Sequence, residues 1–181
     1  HPSPARPPGP VHAVTGVSVL DRGDRVASAG PHAWRAIALG GIGAAALDLC
    51  YAFTFNGLLG YSPMRVLQAI ASGLLGLGAF RGGAAAAALG LVAHVAILLI
   101  AAALYYMASR RIAALTRFAW RCGVLYGLAI HATMHLVVLP LSAAPSFRIT
   151  PLQVASDFAV HLLVLGPTIA FAARRFGPRL R

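Results

Sequence analysis

Three observations predict that this chain is an all-α membrane protein of four transmembrane helices with one short extra helix. The composition is 59% hydrophobic and only 10% charged over 181 residues, whereas a soluble domain carries about a quarter charged residues. Four apolar stretches each approach the ~20 residues that a hydrocarbon core of ~30 Å requires. The arginines cluster at the ends of those stretches, where topology signals sit.

Each element follows in order. Residues 1–32, "HPSPARPPGPVHAVTGVSVLDRGDRVASAGPH", are rich in Pro, Gly and Ser without apolar periodicity, and are expected to form a disordered tail. The tail has neither an initiator Met nor an apolar core of signal-peptide type, so it reads as the edge of a fragment or a misplaced start. The first span covers about 36–59, behind Trp34-Arg35. The second, about 84–107, ends at Tyr105, Tyr106 and Arg110-Arg111, an aromatic and basic interface belt. The third, about 118–143, is entered past Trp120 and Arg121, and the fourth, about 152–172, ends at Arg174-Arg175. The transmembrane domain spans 33–175, and 176–181 is a basic C-terminal tail.

Between the first and second spans, "VLQAIASGLLGLGAF" (66–80) is bracketed by Arg65 and Arg81. It is short for a crossing and predicts a re-entrant or interfacial helix. The N-terminal region, the 108–121 loop and the C-terminal region hold four arginines each, against Arg65, Arg81 and Arg148 on the other side. That bias predicts both termini on the cytoplasmic side. All 15 basic residues are Arg and all four acids are Asp, a usage that fits a GC-rich genome and hence the inner (cytoplasmic) membrane of a bacterium.

The net charge of +11 would suggest nucleic acid in a soluble protein. Here the arginines flank apolar runs, so the expected partner is the lipid bilayer, not nucleic acid, with a homo-oligomer or a larger membrane complex as further assemblies. Cys50 and Cys122 fall at different depths, which argues against a disulfide and for two small buried hydrophobes.

The chemistry concentrates inside the membrane. Gly123, Gly127, His131 and His135 succeed one another at i+4 and form one helical stripe, whose glycines let a neighbouring helix approach closely. Gly90 and His94 repeat the spacing, as do Asp157 and His161, and the first span carries Asp48. Counted at 1.5 Å per residue, Asp48, His94, His135 and His161 come to about 12–17 Å deep, with His131 one turn deeper and Asp157 one turn shallower. An ionisable group there costs roughly 2.5–3.5 kcal/mol on insertion scales, so it is expected to face a shared polar core.

Three readings of that core stand side by side. As polar glue, it would only fix helix packing, at roughly 1 kcal/mol per bond. As a pH-responsive Asp/His core, it would serve proton or small-solute transport or an acid-stress accessory role, with Gly166-Pro167 breaking the fourth helix beside it. As a haem b or divalent-metal site of a redox protein, it would use His131 and His135 at i, i+4, or a bis-histidine pair such as His94 with His135 or His161. No resident cofactor is expected on the second reading. Walker, GxSxG, HExxH and CxxC patterns are absent, as are Glu and Lys, and Ser72 and Ser142 have no histidine nearby in sequence. An enzyme is therefore not the expectation.

At "SPMRVLQAIASGLLG" (62–76), "GLVAH" (90–94), "VVLPLSA" (137–143) and "HLLVLGPTIAFAARR" (161–175), the chain resembles uncharacterised bacterial four-span inner-membrane proteins of a YagU-like kind, associated with acid resistance. The resemblance implies an inner-membrane location, the re-entrant segment, and histidine at the positions of His94 and His161. It carries over no catalytic residues, and it implies other residue types at the positions of His131 and His135.

Overall fold

The computed structural model describes residues 32–146 and 150–176. Nearly all of the expected N-terminal tail, Arg148, and all but the first residue of the C-terminal tail lie outside them. Among the described residues all regular structure is helical. Helix α1 runs Ala33–Leu58, α2 covers Pro63–Arg81, α3 Gly83–Ser109, the short α4 Ala113–Arg117, α5 Ala119–Leu141, and α6 Pro151–Phe176. All but α4 are long and apolar enough to cross a membrane.

Local chemistry sets the helix starts. Ser62 Oγ accepts the Arg65 amide at 3.3 Å and Thr150 Oγ1 accepts the Gln153 amide at 3.2 Å. Each cap is followed by a proline at the first helical position, where no N–H is needed. Helix α2 tightens into a 3₁₀ stretch over Gly76–Arg81, after Gly76 takes a positive φ of 58°.

The packing is built on small residues. The core unites Ala44, Ala45, Ala102 and Ala170 with Tyr105 and Ile169. Without a hydrophobic drive between helices in lipid, such residues hold a bundle together by letting backbones meet. A Cβ at Gly41 would stand 2.8 Å from Leu99 Cα, and one at Gly123 would stand 2.7 Å from Pro167 Cα. At Gly127 it would collide with the His161 carbonyl, and at Gly90 with the Leu67 carbonyl. The expected packing roles of Gly90, Gly123 and Gly127 thus have backbone partners, on α2 for the first and on α6 for the other two.

Helices α1 and α3 run antiparallel, with Gly41 against Leu99 and Asp48 beside His94. Helices α5 and α6 are also antiparallel, with Gly123 against Pro167 and Gly127 against Leu162. The C-terminal end of α2 meets the end of α5, where the Ala143 amide donates to the Gly73 carbonyl at 2.9 Å.

Two corrections concern α5 and α6. Gly166-Pro167 does not break α6, which continues helically to Phe176. Instead the helix widens into a π turn over His161–Leu165, and α5 does the same over Met134–Val138. Each π turn ends two residues before a proline, Pro167 and Pro140 respectively. Proline lacks an N–H and crowds the carbonyl four residues back, and a wider preceding turn relieves both problems without ending the helix. A further correction concerns the cysteines: both are free thiols, but Cys50 is exposed and Cys122 only partly buried.

Candidate functional site

The packing of α5 and α6 changes abruptly along their length. In the half that contains Gly123, Gly127, Gly166 and Pro167 the two backbones touch. Beyond the glycines none of the residues Met134–Leu141 is buried, and none of Pro151–Val160 is buried. The backbone of Pro151–Val160 stays away from the backbones of the other helices, and only side chains reach across. The bundle is therefore closed in one half and splayed in the other, and the polar residues lie at the junction.

Three of the sequence candidates converge there. Asp157 Oδ2 lies 3.3 Å from His131 Nδ1 and 3.6 Å from His161 Nδ1. The His131 ring meets the His161 ring edge-on at 5.1 Å between centroids, and Phe158 edge-on at 5.1 Å. His161 is 8% exposed, whereas the Asp157 side chain is 31% exposed, on the open side. Despite the short distance, His131 Nδ1 is buried without a hydrogen-bond partner, because the carboxylate lies outside its bonding direction.

The tautomer of His161 follows from its neighbours. Its Nδ1 lies 2.9 Å from the Asp157 main-chain carbonyl, which can only accept, so Nδ1 carries the proton. That leaves Nε2 with a bare lone pair.

A second pair sits beside the first cluster. His94 Nε2 is 3.6 Å from Asp48 Oδ2 and 3.4 Å from the Ala45 carbonyl. Asp48 lies in the electrostatic field of His161 and Asp157 as well as of His94, so the two groups form one polar layer across α1, α3, α5 and α6. Tyr51 and Ser156, 2.7 Å apart, link α1 to α6 above it.

His135 does not join the layer. Its ring stacks on His131 at 4.1 Å between centroids, but the side chain is exposed, and its Nδ1 donates to the His131 carbonyl at 3.0 Å on its own helix. No carboxylate reaches it among the described residues. The i, i+4 pair therefore brings two rings together without bringing both into the core. His94 turns its Nε2 to Asp48 and Ala45.

Sequence reasoning gave Tyr105 and Tyr106 to an interface belt, whereas both are buried, and it passed over Tyr126. Tyr105 Oη donates to the Leu115 carbonyl at 2.9 Å, which ties α4 to α3, and Tyr126 Oη donates to the Ala101 carbonyl at 2.7 Å. Their place at span ends or beside Gly127 was visible, but their carbonyl partners depend on how the helices cross. Compared with known proteins, the chain matches no family model, no curated protein and no solved structure.

Proposed function

We propose that the chain crosses a bacterial cytoplasmic membrane four times, with both termini inside, and admits a small cationic solute from the outer side to an Asp/His floor. The observation that carries this reading is the splayed half of α5 and α6, which ends on Asp157, His131 and His161. Open apolar walls above a floor with two carboxylates, Asp48 and Asp157, suit a cation that sheds water on entry. The closed half, sealed by glycine contacts, is what a carrier open to one side requires.

The antiparallel register of α1 and α3 supports four crossings. Starting from the level of Asp48 and His94, about 15 Å further along α1 comes Leu58, and about 15 Å back along α3 comes Ala84. The end of α1 and the start of α3 therefore share one side. A chain that leaves and returns on the same side does not cross between, which supports α2 as a re-entrant or interfacial helix although its length would permit a span. The arginine bias supports placing that side outside.

Cysteine labelling in intact cells tests both parts, in a Cys50→Ala, Cys122→Ala background with an impermeant maleimide. Tyr61→Cys and Arg81→Cys should both label from outside and Ala113→Cys should not; labelling of only one of the first two would mean a fifth crossing. Ser156→Cys should label from outside if water fills the splayed half. A dry Ser156→Cys would overturn the carrier reading and leave a polar core that only fixes packing.

A further inference from the structure

We infer that His131, Asp157 and His161 form a binding site for a divalent first-row transition-metal ion, which names the solute class for the floor described above and rests on that reading. The first argument is geometric. One ligand atom from each of the three residues lies within 4.8 Å of the other two. In a tetrahedral site with bonds of about 2.0–2.1 Å, ligand atoms stand about 3.3–3.4 Å apart. The contact of Asp157 Oδ2 with His131 Nδ1, at 3.3 Å, already has that spacing. The His161 ring lies beside both and would turn to present Nε2.

The second argument is independent of the spacing. His131 Nδ1 is a buried polar atom that lies 3.3 Å from the Asp157 carboxylate outside hydrogen-bond geometry and has no other polar partner, which leaves it free to take an ion. His161 completes the set in the manner of metal-binding imidazoles, with its Nδ1–H held by the Asp157 main-chain carbonyl and its Nε2 left bare.

The donor set selects the ion. Two imidazoles and one carboxylate suit Zn²⁺, Co²⁺, Mn²⁺ or Fe²⁺, whereas Mg²⁺ and Ca²⁺ prefer all-oxygen shells. Three protein ligands leave one coordination position, and the 31% exposure of Asp157 places it toward the splayed half. His135 lies outside the set, because its ring is exposed and it is not among the residues whose ligand atoms come within 4.8 Å of one another. Asp48 and His94 add a carboxylate nearby without ligating, since their contacts are with each other.

The test uses the full-length, untagged protein in detergent, loaded with Zn²⁺, desalted and assayed for metal content, together with a Co²⁺ titration followed by visible absorption. One Zn²⁺ per chain is expected, with a Co²⁺ spectrum of four-coordinate nitrogen and oxygen ligation. Asp157→Asn should weaken binding at least tenfold, and His135→Leu, outside the set, should leave stoichiometry near one. Retention of full affinity by Asp157→Asn, or its loss in His135→Leu alone, would assign the metal elsewhere and overturn the site. Absence of bound metal in the parent protein would overturn it as well. If Ser156→Cys still labels from outside in that case, the carrier reading stands and only its solute class falls.

Discussion

Replacing Gly127 by Ala tests the closed half of the bundle at its tightest point. The added methyl would overlap the His161 carbonyl oxygen and stand 2.8 Å from its carbon and 2.9 Å from Leu162 Cα. All three are backbone atoms, so no side chain can swing aside, and α5 must back away from α6. Overpacking of this kind costs typically about 1–3 kcal/mol, and a rigid backbone neighbour puts the site at the upper end. The better helix propensity of Ala returns about 1 kcal/mol, leaving a net loss near 2 kcal/mol. That is about a 30-fold shift in the folding equilibrium. The assay is reversible unfolding by sodium dodecyl sulfate in mixed micelles, followed by helical circular dichroism. Gly57→Ala supplies the control, since a Cβ there meets nothing within 4 Å, and it should be neutral or stabilising by up to about 1 kcal/mol. If Gly127→Ala unfolds at the parental midpoint while Gly57→Ala behaves as stated, the backbone contact between α5 and α6 does not exist in the membrane.

Three further outcomes follow from particular side chains. His135→Leu should leave the unfolding midpoint within about 0.5 kcal/mol of the parent, as for an exposed group without a partner on another helix; a loss above about 1 kcal/mol would place His135 in the core after all. Tyr126→Phe should cost about 0.5–1.5 kcal/mol by removing the bond to Ala101, and no loss would discount that link between α3 and α5. Ser72 is fully buried where α2 docks, so in a Cys-free background Ser72→Cys should resist N-ethylmaleimide. Gly90→Ala, which drives a methyl into the Leu67 carbonyl, should make that cysteine reactive, and continued protection would show that Gly90 does not hold α2 in place.

How much of this was legible in the sequence depends on what each feature requires. The long apolar helices follow from composition and length, because a backbone in lipid must satisfy its own hydrogen bonds. The stripe Gly123, Gly127 and His131 was legible too, since an α-helical period keeps all three facing α6. The same period fails at His135, because the π turn over Met134–Val138 interrupts it and α6 has already diverged. Pro140 was the available signal, two residues beyond the π turn. The pairing of His131 with Asp157 was not legible from depth. A count at 1.5 Å per residue sets them about two turns apart, as if every helix stood upright with its ends level, whereas unequal ends and tilt bring them to 3.3 Å. The depth count grouped Asp48 with His94, but their direct pairing needed the register of α1 against α3, which Gly41 fixes against Leu99 through a close approach that no single-helix pattern encodes.

The division of α5 and α6 into a sealed and a splayed half has a consequence for how the gene can drift. In the sealed half, side-chain volume is the scarce quantity: Gly123, Gly127 and Gly166 face backbone, so any larger residue is rejected whatever its polarity. In the splayed half the selection inverts, because Leu136, at 75% exposure, and Leu152, at 69%, have no neighbour to limit their size, and positions of this kind that meet lipid accept bulk but no charge. A saturation library scored for membrane expression would therefore separate into two zones along a single helix. Size would be penalised before Ile130 and polarity after Met134, and the boundary between the zones would fall at the depth of His131.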